Sequence, residues 1–119
     1  MSYKVAVASS DGRVINQHFG RSRKFLIFEI TDQSRWAFLE NRDNVPPCSS
    51  GEHSEDDMER TIDLLSDCSI VLASRIGPGA EQKLSLRGIK SYSVPYLISD
   101  TLDKLVKFNK NKNNQHSVR

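Results

Sequence analysis

A short polar stretch carries most of the side chains able to do chemistry. Ser9-Ser10-Asp11-Gly12 is followed by Asn16-Gln17-His18-Phe19-Gly20-Arg21, and then by Arg23 and Lys24. An imidazole is a metal ligand and a proton acceptor near neutral pH. Gly12 and Gly20 let backbone come close to a ligand, and the cations Arg21, Arg23 and Lys24 suit an anion. His18 lies in a polar segment, not on an apolar face. It reads either as a ligand contact or as an ordinary surface imidazole, and residue types leave both readings open.

Cys48 follows Pro46 and Pro47, and His53 lies five residues further on. A thiolate is a soft ligand suited to iron or iron–sulfur species. With His18 these two would offer one sulfur and two nitrogens. There is no Cys-x-x-Cys and no His-x-x-x-His, so a self-contained structural zinc is not expected. Cys68 stands before an apolar run and is expected to pack as a small hydrophobe. Gly77-Pro78-Gly79, with Arg75 just ahead, reads as a tight strand-to-helix turn. Its free N–H groups also suit an anion, but it has neither a P-loop ending nor a dinucleotide pattern. A small-molecule or nucleotide-binding regulatory site at this helix start is therefore the alternative to the cluster-binding reading developed below. Ser9 and Ser10 lack a G-x-S-x-G elbow, and the acids from Glu52 to Glu59 read as a solvated helix start. With no three-cysteine cluster, no enzymatic activity is expected.

These residues need elements to position them. Val5–Ala8 is an apolar run closed by a turn, and Phe25–Ile30 is apolar on both faces, as a covered central strand would be. Trp36–Leu39 follows after a turn, so the first three strands should form an antiparallel meander. Pro46 to Gly51 cannot be regular structure. Ser54 can cap a helix whose stripe is Met58, Ile62 and Leu65. Ser69–Ala73 is a buried strand, and Pro78 opens a helix that Gly88 ends. Ile89–Tyr92 is a weaker strand, and Ser99 caps a last helix with Leu102, Leu105 and Val106 on one face. The order β-β-β-α-β-α-β-α predicts an α/β domain with a five-stranded mixed sheet and flanking helices.

The chain has 119 residues, one domain's worth. Its longest apolar run is far too short to span a bilayer, and the N-terminus lacks a signal-peptide core. A cytoplasmic protein with no membrane partner is expected, its two cysteines kept as thiols. The net charge is +2, yet five basic residues (Lys104, Lys107, Lys110, Lys112, Arg119) and no acid follow Asp103. The preceding chain therefore carries about −3. Residues 109–119 read as a disordered basic tail. No aromatic residue interleaves with those charges after Phe108, so nucleic acid is not an expected partner.

Taken together, Ser9-Ser10-Asp11-Gly12, Asn16-Gln17-His18-Phe19-Gly20-Arg21, Pro47-Cys48 and Arg75-Ile76-Gly77-Pro78-Gly79-Ala80 are similar to a known pattern. The chain resembles the dinitrogenase iron–molybdenum cofactor biosynthesis family, which includes NifX, the cofactor-binding domain of NafY and the C-terminal region of NifB. The resemblance implies a ribonuclease H-like sandwich over residues 1–108. It also implies non-catalytic binding and carriage of an iron–sulfur or iron–molybdenum cofactor, or its precursor, during cofactor biosynthesis and delivery. The partners it implies are that metal–sulfur cofactor and the proteins that make or receive it. His18 matches the family's cluster-binding histidine, and Cys48 matches a cysteine of the NifB-like branch. His53 is a further candidate metal ligand. Asn16, Gly20, Arg21, Arg23, Lys24 and Arg75 are candidate cofactor contacts, the cations offsetting the charge of the cluster.

Overall fold

A computed structural model describes residues 2–45 and 55–117, with side chains described at 2–45 and 58–107. The strands are β1 (Tyr3–Ala8), β2 (Lys24–Ile30), β3 (Trp36–Asp43), β4 (Ile70–Ala73) and β5 (Lys90–Ser93). The helices are α1 (Glu55–Leu64), α2 (Pro78–Leu86) and α3 (Ile98–Ser117). Among the described residues the strands form one sheet in the order β3-β2-β1-β4-β5. β2 pairs antiparallel with β1 and β3, while β4 is parallel to both β1 and β5. The meander and the mixed sheet are as the sequence predicts, in the ribonuclease H-like arrangement that the resemblance implies.

Period-two alternation divides the core. Ala6, Ala8, Phe25, Ile27, Val71 and Ala73 face Ile62 and Leu65 near α1 and Leu84 of α2. The intervening positions, among them Val5, Val7, Leu26, Phe28 and Leu72, face Ile98 and Leu102 of α3. β2 is thus covered on both faces, which is why it lacks polar alternation. The edge strand β3 is tied to α3 by the Trp36 indole, whose Nε1–H donates to Asp103 Oδ1 at 2.8 Å.

Two local expectations change. Ser99 does not cap α3. The first turn closes two residues earlier, where the Leu97 carbonyl accepts from the Thr101 N–H at 3.1 Å and its hydroxyl at 2.9 Å. The backbone from 109 to Ser117 continues α3 rather than forming an irregular tail. The segment holds neither Gly nor Pro, so nothing in its chemistry breaks the helix.

The junction after α1 is held electrostatically. Arg42 donates from Nη1 and Nη2 to the two Asp67 carboxylate oxygens at 2.7 and 2.8 Å, and from Nη1 to the Leu64 carbonyl at 2.9 Å. Lys4 adds a bond to Asp67 at 3.0 Å. The Arg42 guanidinium, ahead of Lys4, holds the Asp67 carboxyl well below the usual carboxylate range. A depressed carboxyl contributes stability that is complete above its unfolded value near ~4 and lost as pH falls further. Asp67 is partly exposed, so solvent screening limits the effect to about 1 kcal/mol. Urea midpoints measured from pH 5 to pH 2.5 should therefore fall less steeply for Arg42→Gln than for the parent. Equal slopes would show that the pair contributes nothing.

Candidate functional site

β1, β3, β4 and β5 run parallel, so their carboxyl ends share one rim of the sheet with the start of β2. In open α/β sheets that rim is where ligands bind. The connection from β1 to β2, residues 9–23, lies across it and is well fixed. Ser9 is fully buried. Its hydroxyl accepts from the Gly12 N–H at 3.0 Å and donates to Asp11 Oδ1 at 3.2 Å. The same Asp11 oxygen accepts the N–H groups of Arg13 at 2.9 Å and Val14 at 3.1 Å. Those two backbone bonds hold the Asp11 carboxyl below its ordinary value. Gly12 takes φ +76° at this turn, a conformation that a side chain would strain.

Further along, the loop pairs with two neighbours. The Ile15 N–H donates to the Tyr96 carbonyl at 2.9 Å. The Gln17 N–H donates to Ala8 O at 3.3 Å, Ser74 N–H to Gln17 O at 3.0 Å, and Phe19 N–H to Arg75 O at 2.9 Å. His18 and Arg75 thereby form a parallel bridge that extends the β1–β4 pairing past the strand ends. Ile15 and Phe19 are fully buried, whereas His18 between them is exposed. A single 3-10 turn, Phe19–Arg21, closes as the Arg21 N–H reaches His18 O at 3.0 Å. The imidazole therefore stands out from a backbone anchored on both sides.

His18, Gly20, Arg21 and Arg75 converge with Met58 and Gly77 on one cleft of about 270 Å³. Gly77 is the N-cap of α2 and Pro78 its first residue, as expected, so the positive end of the α2 dipole points at this cleft. Arg23 and Lys24 do not line it. They open with Arg21 onto a neighbouring cleft of about 480 Å³, shared with Ser10, Gln17 and Asp43. Asn16 is engaged in holding the loop: its Oδ1 accepts the Ser10 N–H at 2.9 Å and its Nδ2 donates to Ser10 Oγ at 3.0 Å. Cys48 and His53 lie outside the described residues. Met58 is readable only as part of the α1 stripe, and Asp43 lies beyond the strand read as Trp36–Leu39, which the structure extends to Trp36–Asp43. Sequence spacing carries no signal for either position in a cleft.

Cys68 is buried and packs in the core on the α1 side, as the sequence predicts. Among the described residues, no three His, Cys, Asp or Glu side chains gather closely enough to enclose a metal ion. None of the helices, over those same residues, is long and apolar enough to cross a membrane.

The architecture and the loop match known proteins. A family model described as dinitrogenase iron-molybdenum cofactor matches residues 1–108. The FeMo cofactor biosynthesis protein NifB of Frankia alni is 40% identical over 106 residues, which cover 86% of this chain and 20% of that protein. Protein NifX of Azotobacter vinelandii is 34% identical over 95 residues, covering 76% of this chain and 56% of NifX. The chain thus spans only a minor part of the NifB protein and little more than half of NifX. The crystal structure of PH0822 superposes with a TM-score of 0.64 at 26% identity, covering 87% of this chain and 89% of that one. The apo form of the orange protein from Desulfovibrio gigas superposes at 0.61 with 22% identity, over 92% and 88% of the two chains, a likeness of fold alone. Matched across its whole sheet and through the loop that carries His18, the chain belongs to the dinitrogenase iron–molybdenum cofactor family.

Proposed function

We propose that this domain binds a preassembled metal–sulfur cofactor, or its precursor, as cargo at His18, without catalysis, during the making and delivery of that cofactor. The observation that carries the reading is an exposed imidazole on an anchored backbone, in a cleft with Arg21, Arg75 and the start of α2. Such a cluster is anionic, and two guanidinium groups with a helix N-terminus offset negative charge. Imidazole suits iron among the metals it ligates. A site with few ligands favours handover, because affinity among related complexes is tuned mostly through dissociation. The NifB relatives, named as FeMo cofactor biosynthesis proteins, support a role in that chemistry, with cofactor-synthesis or recipient proteins as partners.

Reconstitution with an iron–sulfur cofactor under anoxic conditions tests the reading, with uptake followed by absorbance and by iron and sulfide content. The parent should become coloured. His18→Ala should bind at least about tenfold more weakly, since loss even of a group that merely supports a metal ligand costs that much. Its thermal midpoint should stay close to the parent's because the ring makes no buried contact. Uptake by His18→Ala equal to the parent's would remove His18 from the site.

A further inference from the structure

The second cleft on this rim has a different chemistry from that of His18. Arg21, Arg23 and Lys24 line it, and Asp43 supplies the one carboxylate among its lining residues. Its base is fixed. The buried Ser22 donates its hydroxyl to Lys24 O at 2.5 Å. Asn44 clamps the same segment, its N–H reaching Arg23 O at 2.8 Å and its Nδ2 reaching Ser22 O at 3.0 Å. Ser10, also in the lining, is held by Asn16. The cationic side chains therefore rise from backbone that is already ordered.

Among the described residues, none of these three cations has an ion-pair partner. Asp43 stands opposite Lys24 in the β2–β3 register without closing a bridge. Three like charges around one concavity repel one another, and an anion placed among them relieves that repulsion. The lining contains no imidazole and no thiol. Set against the single Asp43 carboxylate, its three cations present N–H donors, which recognise oxygen anions rather than metal ions. At about 480 Å³ the cleft falls in the range of small-molecule sites and is larger than one tetrahedral oxyanion needs.

We propose that the cleft built on Arg21, Arg23 and Lys24 is a second binding site, for a small organic or inorganic compound carrying at least two phosphate or carboxylate groups. The site is distinct from the His18 cleft, shares only Arg21 with it, and goes beyond the cluster reading without depending on it. Guanidinium forks pair with either oxyanion in the same two-bond manner, so the probes must separate the two sources.

Calorimetric titration of the intact, cluster-free protein with inorganic pyrophosphate and with tricarballylate tests this at low ionic strength. At least one probe should bind, and the tighter of the two assigns the class; equal affinity supports an oxyanion site open to both. Arg23→Gln/Lys24→Gln should weaken binding at least about tenfold, because two charge-assisted contacts are removed. His18→Ala, which alters only the neighbouring cleft, should change it less than about twofold. Lys104→Gln/Lys107→Gln, on exposed positions of α3, should leave it unchanged. The proposal is overturned if neither probe binds, or if Arg23→Gln/Lys24→Gln binds as the parent does. It is equally overturned if His18→Ala or the α3 variant loses as much as the cleft variant.

Discussion

Phe19→Ala is expected to lower the stability of the domain by about 3–5 kcal/mol, read as a shift of the urea midpoint at neutral pH. The ring is fully buried in the core on the α1 and α2 side of the sheet, and its centroid lies 5.7 Å from that of Phe25. A typical domain has only about 5–15 kcal/mol in total, so the variant should be marginal. The same ring anchors the loop from inside, one residue after His18, while its N–H is tied to Arg75. Whatever folded fraction remains should therefore also bind cofactor poorly. Phe19→Leu keeps most of the apolar volume and should retain much of both properties. A loss below about 1 kcal/mol for Phe19→Ala would show that the ring is not the loop's anchor.

Phe19 also shows where sequence reading stops. The sheet was legible because β1, β2 and β4 are apolar at nearly every position and their boundaries are marked by Gly, Asp and Ser. α1 was legible from the spacing of Met58 and Ile62, and α2 from Pro78 and Gly88. The loop that bears the site has no such periodicity. Its conformation is set by single long-range backbone bonds, to Tyr96 from Ile15 and to Arg75 from Phe19. Sequence spacing cannot express partners some 60–80 residues away. Residue type alone suggested that Arg21, Arg23 and Lys24 would act together with His18. The structure instead divides them between two clefts, because Ser22 turns inward and Asn44 holds the segment around it. Asn16, chosen as a contact for cofactor, has both ends of its amide committed to Ser10.

The second large effect is expected at alkaline pH and comes from Cys68. The thiol is only 4% exposed, at the entry to β4, and lies 3.7 Å from Asp67 Oδ1, to which it donates. Burial, then the neighbouring Asp67 charge, pushes its pKa up to about 12. The ionised form is poorly tolerated there, and it would also lose the bond to the carboxylate. In the unfolded chain the thiol titrates near ~8.5–9. Between those two values the folded state retains a proton that the unfolded state has released, so stability must fall as pH rises. Each pH unit in that window costs about 1.4 kcal/mol at full effect, which amounts to about 2 kcal/mol by pH 10.5. Urea midpoints at pH 7, 9 and 10.5 should therefore be level at first and then drop. Cys68→Ala should start somewhat lower, having lost a buried sulfur, but should show a much shallower alkaline decline. Other groups titrate in this range in both proteins, so the difference between the two slopes isolates the thiol. Parallel slopes would mean that the thiolate finds solvent without unfolding, and that the seam between Asp67 and β4 opens more readily than its packing implies.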